Sequence, residues 1–399
     1  MISNQGLYAG LVIQTLAISG YRSLRELVLP LEKLTVVTGA NGSGKSSLYR
    51  ALRLLGDAAQ NAVVASLARE GGLPSTLWAG PEEIARSVRK GEHPIEGTPR
   101  KKPVSLKLGF STETFGYSIE LGYPPPPGVP TMFLLDPAIK RECIWHGGRY
   151  RRAAALVDRR NALVTVAGEK DDESAVLTKN LSTADSMLAS MADPQRAPEM
   201  LEVREAIRGW RFYDSFRTDT ASPVRSAHIG TFTPVLNNDG TDLAAALQTI
   251  VEIGDNEGLA RTIEDAFPGS RFWVDSQNGR FELQLQQHGL LRPLSVAELS
   301  DGTLRFLLLT AALLTPRPPE LMVLNEPETS LHPDLLPALA RLITAAAQRA
   351  QILVVSHAQG LLAALEQAGG CGRVHLEKSF GETVVAGQTM FNTPRWEWP

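Results

Sequence analysis

The 399-residue chain contains little cysteine, no long apolar run and only a small excess of charge. Its two cysteines, Cys143 and Cys371, are too few for a disulfide framework and fit a reducing cytosol. The apolar segment 7–18 is too short to span a membrane, and it lacks the preceding basic region of a signal peptide. We therefore expect a cytoplasmic protein that does not enter the membrane.

The formal net charge is −3, so the chain lacks the strong positive charge of a dedicated nucleic-acid-binding protein. Basic residues do cluster locally, at 100–102, 149–152 and 159–160. Such clusters form either a DNA-facing patch or a solvated surface, and both interpretations stay open. Hydrophobic residues make up 43% of the chain, which is ordinary for a globular protein that buries a core.

Heptad repeats are also missing, which excludes long coiled-coil arms. We expect three parts: residues 1–70, a β-rich inserted lobe over 71–210, and residues 211–399. Strand and helix patterns alternate in the last part, where 321–324 and 351–355 have the continuous apolar character of buried strands. This alternation predicts an α/β fold with a parallel sheet.

Apolar residues at helical spacing predict helices over 46–68, 295–314 and 359–368. Two basic side chains between these helices, Arg217 and Arg225, either approach a phosphate or form surface ion pairs. The end of the chain, 395–398, is unusually aromatic, and packing against the body of the protein is favoured over docking to a partner.

The first functional pattern in the sequence is a glycine-rich loop at residues 39–46. The spacing Gly39-x4-Gly44-Lys45-Ser46 follows an apolar strand and precedes a helix, as in the phosphate-binding loop of nucleotide triphosphatases. Glycines let backbone N–H groups curl around phosphate oxygens, and the helix directs its positive end at the same anion. Lys45 is expected to reach the β- and γ-phosphates, and Ser46 to bind Mg²⁺. The predicted nucleotide-binding residues of this loop are Gly39, Asn41, Gly42, Ser43, Gly44, Lys45, Ser46 and Ser47.

A second pattern lies at the end of the apolar run 321–324, which leads into Asn325 and Glu326. At such a strand end Glu326 can serve as the general base that activates a water molecule. Asn325 occupies the position where these sites normally place an Mg²⁺-binding aspartate. Without the glycine loop an acidic surface turn would be the simpler interpretation; with it, the catalytic interpretation is favoured.

Two further segments carry polar residues at the ends of predicted elements. His357 follows the strand 351–355, and beside Glu326 it is expected to contact the γ-phosphate, although a lone histidine there is usually structural. Ser300 and Gly302 stand at the start of a helix, where N–H groups bind anions. A plain helix N-cap is the alternative for Ser300.

In this order, the four motifs resemble those of the ABC-type ATPases of the RecF and structural-maintenance-of-chromosomes (SMC) branch. The opening segments 18–24 and 34–39 are similar to that branch as well. The resemblance implies the ABC-type P-loop fold, with a mixed central sheet, helices on both of its faces, a β-rich lobe and a helical lobe. It implies ATP and Mg²⁺ as cofactors. It implies catalytic roles for Lys45, Glu326 and His357, and metal binding by Ser46 and Asn325.

The resemblance also implies an ATP-sandwiched dimer with two composite sites. Ser300 and Gly302 of one subunit would contact the γ-phosphate held by the other, and 328–331 would lie at the dimer interface. Because coiled-coil arms are missing, the chain looks most like compact RecF or the stand-alone ATPases of bacteria. The same module occurs in phage-defence systems.

Two residues depart from the family pattern. Asn325 replaces the usual aspartate and removes one negative charge from the metal site. Its amide oxygen can still accept a hydrogen bond from metal-bound water, so we expect nucleotide binding to persist while turnover falls. Asp301 stands where transporter ATPases carry glycine. The glutamine that usually links the site to the lobe cannot be assigned.

These observations predict a slow ATPase that forms an ATP-dependent homodimer or higher assembly and couples its cycle to DNA or a partner protein, in DNA repair or phage defence. The alternative is a weakly hydrolysing scaffold that holds and releases an effector, toxin or nuclease partner, which Asn325 favours. The motor subunit of a membrane transporter is a further alternative. It is disfavoured by the long gap between the glycine loop and Leu299 and by the absence of a membrane segment in the sequence.

Overall fold

The structure is a computed structural model that describes residues 12–81, 105–124, 130–133, 135–168, 174–214, 216–389 and 391–399. The basic cluster at 100–102 lies outside these ranges. The strands in the described ranges are β1 (Thr15–Tyr21), β2 (Leu24–Pro30), β3 (Leu34–Gly39), β4 (Leu106–Ser111), β5 (Phe115–Gly122), β6 (Ala138–His146), β7 (Ala155–Arg160), β8 (Leu163–Ala167), β9 (Ser174–Thr178), β10 (Arg211–Tyr213), β11 (His228–Ile229), β12 (Arg271–Gln277), β13 (Arg280–Gln286), β14 (Leu294–Ser295), β15 (Leu321–Asn325), β16 (Gln351–Val355), β17 (Gly372–Ser379) and β18 (Glu382–Val385).

The helices lie mainly in the last 160 or so residues and around the glycine loop, as their amphipathic spacing requires. In chain order they are α1 (Lys45–Ala58), α2 (Val63–Arg69), α3 (Gly72–Thr76), α4 (Met187–Ser190), α5 (Pro198–Gly209), α6 (Leu243–Ile253), α7 (Asn256–Ala266), α8 (Asp301–Leu313), α9 (Leu336–Ala346) and α10 (Gln359–Ala368). Short 3₁₀ helices occupy Arg152–Ala154, Pro223–Arg225, Val296–Glu298 and Pro333–Leu335. The mixture of helices and strands confirms the predicted α/β fold class.

The chain divides into two compact units. Unit 1 comprises Met1–Glu32, Thr38–Gly209 and Val374–Pro399, and unit 2 comprises Lys33–Val37 and Trp210–Arg373. The chain passes from unit 2 into unit 1 within β3, just before the glycine loop. Each unit is described by itself below.

Unit 1 contains an eight-stranded antiparallel sheet in the order β2-β1-β4-β5-β6-β7-β8-β9. On β1, Leu16 lies opposite Leu29 of β2 and Phe110 of β4, and all three side chains are buried. In the segment 19–23, which its glycine and serines mark as a turn, residues 19–21 belong to β1 and only 22–23 form the turn. The two strands turn sharply at Arg22, whose φ of 51° is left-handed.

A fully buried ion pair ties the segment before α4 to this sheet. Glu142 on β6 accepts hydrogen bonds from Tyr117 Oη (2.9 Å) and Ser186 Oγ (2.6 Å). Its other carboxylate oxygen accepts from Arg159 Nη1 (2.5 Å) on β7 and from the backbone N–H of Met187 (2.8 Å). Both charged side chains are 0% exposed. Of the two interpretations left open for 159–160, a DNA-facing patch and a solvated surface, neither therefore applies to Arg159.

The single helix predicted over 46–68 is two helices, α1 and α2. Apolar residues keep helical spacing across the junction, which is why the sequence pattern runs through it. The break occurs at Asn61, whose φ of 56° is left-handed and therefore incompatible with a continuous right-handed helix. The Asn61 side chain then donates to Asp185 Oδ1 (2.8 Å) and accepts from the N–H of Ser186 (2.9 Å), which stabilises the turn.

Unit 2 is built on four described parallel strands in the order β10-β15-β16-β3. Neighbouring residues in the register include Asn325, Val355 and Val37, one on each of three adjacent strands. β16 is buried at every position and β15 at all but its last, which explains their continuous apolar sequences. The strands predicted at 321–324 and 351–355 are confirmed.

Helices of unit 2 cover this sheet and form its main core. Helix α8 is buried from Leu304 to Leu313, and α9 and α10 contribute Leu339, Ile343 and Leu361 to the same core. The helix predicted over 295–314 begins only at Asp301, since Val296–Glu298 forms a separate 3₁₀ turn. A small antiparallel sheet of β11, β13, β12 and β14 completes this unit. Within the described ranges, we find no helix with the length and apolar character that crossing a membrane demands.

Candidate functional site

The glycine loop joins β3 to α1 in unit 1, and its shape depends on glycine. Gly39, Gly42 and Gly44 have φ angles of 148°, 78° and 112°, a region that side chains with a Cβ rarely adopt. A Cβ on Gly39 would collide with the backbone oxygen of Leu376, and one on Gly44 would collide with the side chain of Thr383. A Cβ on Gly42 would meet nothing within 4 Å. The loop therefore curls tightly against its own unit at both ends.

Lys45 and Ser43 give this loop the polar groups of an anion site. Lys45 is the first residue of α1, is 7% exposed, and donates from Nζ to the carbonyls of Gly39 (2.6 Å) and Ala40 (3.0 Å). Ser43 Oγ is buried and has no hydrogen-bond partner among the described residues. No acidic residue stands in the first turn of α1. A buried ammonium, an unsatisfied hydroxyl and a helix N-terminus together fit a bound phosphate group.

The hairpin of β17 and β18 packs against the glycine loop and supports it. The sequence did not reveal this contact. Thr383 is 0% exposed, donates from Oγ1 to the carbonyl of Ser43 (2.8 Å), and forms a hydrogen bond with Ser23 Oγ (2.8 Å). At the start of the loop, Thr38 Oγ1 lies 2.8 Å from His375 Nδ1 on β17. The strand pattern predicts the hairpin itself, but no local signal links residues about 340 positions apart.

In unit 2, the structure brings the predicted residues Glu326 and His357 together. Glu326 follows β15 and donates its backbone N–H to the carbonyl of Val355 (2.7 Å) on β16. His357 Nδ1 lies 3.4 Å from Glu326 Oε1, and both side chains are about half exposed, at 53% and 43%. Glu326 has a φ of 48°, a strained conformation for a glutamate that typically costs about 1–3 kcal/mol. The strained residue is thus the one whose carboxylate lies beside the histidine.

Glu328 is a second acidic residue of this site, and its side chain lies inside the unit. It accepts hydrogen bonds from Ser356 Oγ (2.7 Å) and from the backbone N–H of His357 (3.4 Å), and its side chain is 8% exposed. Its Oε1 also lies 3.8 Å from His357 Nδ1. Glu328 thus holds the histidine through its backbone and lies close to its ring. The acidic residue at 328 was visible in the sequence, but only as part of an expected dimer interface.

Arg305, which the sequence patterns did not single out, lies beneath this acidic end. It is 6% exposed and donates from Nη2 to the carbonyls of Glu326 (3.2 Å) and Asp214 (3.4 Å). Burial lowers the pKa of its guanidinium, and the nearby carboxylate of Glu328 opposes that shift. Arg305 therefore supplies a buried positive charge to a site with two carboxylates.

Ser300 and Gly302 lie at the start of α8. Ser300 Oγ accepts from the backbone N–H of Thr303 (3.1 Å), so Ser300 is the N-cap of the helix, as the simpler interpretation had it. A Cβ on Gly302 would lie 2.7 Å from the carbonyl oxygen of Ser330, which explains the glycine. Both residues border an open pocket of about 520 Å³, lined by Ala266, Phe267, Ser300, Gly302, Thr303, Ser330, His332, Asp334 and Leu335.

The two arginines for which a phosphate contact and a surface ion pair were both open form ion pairs. Arg217 forms an exposed ion pair with Asp219 (2.6 Å). Arg225 binds Asp301 and the backbone that precedes it. The aromatic tail does pack on its own unit: the Trp396 ring lies 5.6 Å from that of Trp145, and Arg149 pairs with Glu397.

The two residues predicted to bind Mg²⁺, Ser46 and Asn325, carry neutral oxygen donors. Among the described residues, no group of three or more His, Cys, Asp or Glu side chains could hold a metal ion. The hydroxyl of Ser46 and the amide oxygen of Asn325 are hard donors of the kind that Mg²⁺ accepts alongside water and phosphate oxygens. Ser46 lies in unit 1 and Asn325 in unit 2, and each carries one such oxygen within its own unit.

Comparison with solved structures gives remote similarities to SMC head domains. An SMC head bound to the C-winged helix domain of ScpA is 13% identical, with a TM-score of 0.49, 95% coverage of this chain and 98% of that chain. The SMC head domain from Thermotoga maritima is 14% identical, with a TM-score of 0.42, 95% coverage of this chain and 99% of that one. The comparison with curated proteins found no match.

A protein-family model matches residues 34–363, which include the glycine loop, the residues of α8 and both Glu326 and His357. The family is described as "AAA domain, putative AbiEii toxin, Type IV TA system". The match covers most of the chain, and it agrees with the predicted nucleotide-binding P-loop domain. This chain belongs to that family of AAA-domain ATPases.

Proposed function

We propose that this protein binds ATP with Mg²⁺, hydrolyses it slowly, and forms an ATP-sandwiched homodimer. The observation that carries the proposal is the pair of Glu326 and His357 at the ends of β15 and β16, in a sheet whose third strand leads directly into the glycine loop. A carboxylate and an imidazole at the carboxyl ends of parallel strands are placed as in open α/β nucleotide sites. The family match supports nucleotide binding.

In this proposal, Lys45 and the N–H groups of the glycine loop bind the phosphates, and Ser46 and Asn325 hold the metal. Mg²⁺, when bound, neutralises phosphate charge. Glu326 takes the proton of a water molecule whose oxygen attacks the γ-phosphorus, while the bond to the β-phosphate oxygen breaks. His357 contacts the γ-phosphate. Because Asn325 lacks the charge of an aspartate, hydrolysis is slow.

The proposed dimer uses the face around Ser300 and Gly302. These residues border the open pocket at the start of α8, and Ser300 is exposed. Backbone N–H groups at a helix N-terminus attract anions, so this face suits the γ-phosphate of a nucleotide held by a partner subunit. The nucleotide cycle would open and close the dimer around DNA or a partner protein, in repair or phage defence. The cell compartment we propose is the cytoplasm.

One observation favours a second function. Asn325 removes a metal-binding charge, which suits a scaffold that binds ATP, hydrolyses little and releases an effector partner. Stimulation of turnover by DNA separates the two functions, since the clamp predicts it and the scaffold does not.

Phosphate release and ATP affinity of three proteins test the proposal. Glu326→Gln is expected to lower kcat by roughly 100-fold or more and leave the Kd for ATP unchanged, because it removes only the general base. Lys45→Ala is expected to lose ATP binding. Glu257→Gln, which changes an 89% exposed glutamate, is the matched control and should behave as the wild type. Full hydrolysis by Glu326→Gln would exclude the assigned base.

A further inference from the structure

Arg225 is bound more completely than an ordinary surface arginine. It ends the 3₁₀ helix Pro223–Arg225, and its side chain is 9% exposed. Nη1 donates to the carbonyls of Leu299 (2.7 Å) and Ala297 (3.1 Å), and Nη2 donates to Asp301 Oδ1 (2.6 Å). On the other side of the guanidinium, Nε donates to the carbonyl of Thr218 (2.8 Å).

The partners of Arg225 flank Ser300 on both sides in the sequence. Ala297 and Leu299 belong to the turn before the N-cap, and Asp301 is the first residue of α8. The planar fork of an arginine can hold several acceptors in one fixed arrangement, whereas a lysine ammonium cannot. The acceptors therefore fix the direction in which the backbone enters α8 at Ser300.

The contact also explains Asp301, which departs from the glycine of transporter ATPases. Asp301 is 57% exposed, so its carboxylate is not needed in the core. Its ion pair with Arg225 and its place in the first turn of α8, where negative charge is favourable, are sufficient reasons for an acidic residue. Arg225 and Asp301 thus form one feature rather than two unrelated charges.

We propose that Arg225 is a positioning residue for Ser300 and Gly302. By holding the turn before α8 and Asp301, it sets the geometry with which this segment meets a nucleotide bound by a partner subunit. Arg225 itself does not touch that nucleotide. The inference rests on the proposed function, because it gives the segment its role in a composite site.

The first test compares Arg225→Ala with Arg217→Ala, an arginine of the same loop that makes only an exposed ion pair with Asp219 in the described structure. Misplacing Ser300 is expected to lower kcat by roughly 10- to 100-fold, with the Kd for ATP at the glycine loop unchanged. Arg217→Ala should keep wild-type kcat. Asp301→Ala, which removes the ion pair but spares the backbone contacts, should show a smaller loss of kcat. Wild-type kcat in Arg225→Ala, or an equal loss of ATP affinity, would overturn the proposal.

Mixing of variants separates positioning in a composite site from a general structural defect. Arg225→Ala keeps an intact glycine loop, and Lys45→Ala keeps an intact Ser300 segment, so their heterodimer contains one complete composite site. The ATPase activity of the mixture should exceed the sum of the activities of the two separate variants. The matched control is a mixture of Ser300→Arg with Lys45→Ala.

The control mixture also separates this proposal from the proposed function. Activity in both mixtures supports Arg225 as a positioning residue. Activity in the Ser300→Arg mixture alone overturns the role of Arg225 and leaves the composite site standing. Inactivity of both mixtures contradicts the composite site itself, and the proposed role of Arg225 fails with it.

Discussion

At the scale of single residues, two glycines of one loop should respond differently to the same substitution. Gly44→Ala is expected to lower ATP affinity roughly tenfold or more, because its Cβ would strike Thr383 at a φ of 112° and displace the loop. Gly42→Ala carries a similar backbone penalty without a collision, so its loss should be smaller. Titration with a fluorescent ATP analogue measures both, and equal losses would contradict the role given to Thr383.

The buried carboxylate of Glu328 gives a second prediction at this scale. Glu328→Ala leaves Ser356 Oγ and the backbone N–H of His357 without their acceptor, which typically costs about 1–3 kcal/mol of folding stability. Glu328→Gln retains an acceptor oxygen and should lose less. Thermal unfolding followed by circular dichroism provides the comparison. Equal stability of the alanine variant and the wild type would rule out the hydrogen bonds described for Glu328.

At the scale of elements, the Glu142–Arg159 pair determines how the segment before α4 attaches to the sheet of unit 1. Glu142→Gln leaves the guanidinium of Arg159 buried without a full counter-charge, and breaking such a pair usually costs about 3–5 kcal/mol. Replacing both residues with apolar ones of similar size removes the unpaired charge but leaves the other three donors to Glu142 without their acceptor, so it should restore only part of the loss. Urea unfolding of the single and double variants measures the free energy of unfolding. A loss of stability in Glu142→Gln smaller than that in the exposed control Glu257→Gln would refute the predicted cost of breaking the pair.

Elements also show what the sequence could and could not predict. The strands β15 and β16 were predictable because buried parallel strands are continuous apolar runs, and α10 because its period is regular. The break between α1 and α2 at Asn61 could not be predicted, because one left-handed residue leaves the apolar period of the sequence unchanged.

The same limit applies to the site. Lys45, Glu326 and His357 occur in local motifs, whereas Arg225 and Thr383 act through partners about 75 and 340 positions away. Only folding brings such residues to their partners. A charge in a loop has no sequence period. The sequence therefore left a phosphate contact and a surface ion pair open for Arg225, and it did not reveal the contact with the turn before α8.

At the scale of the whole molecule, the two cysteines should report on folding separately. Burial raises the pKa of the Cys143 thiol to about 12, so at pH 8 it remains protonated as well as inaccessible. Cys371 is partly exposed. A thiol reagent at pH 8 is expected to label Cys371 first, and Cys143 only when the sheet of unit 1 opens. Labelling of both at the same rate in the folded protein would contradict the described burial.

The central claim is that ATP joins two copies of this chain. The most direct measurement is the mass of Glu326→Gln in solution by light scattering, with and without Mg-ATP, because this variant should bind ATP without consuming it. A shift from monomer to dimer on addition of ATP, abolished by adding Lys45→Ala to the same chain, is the predicted result. An unchanged mass despite measurable ATP binding would contradict the ATP-gated dimer.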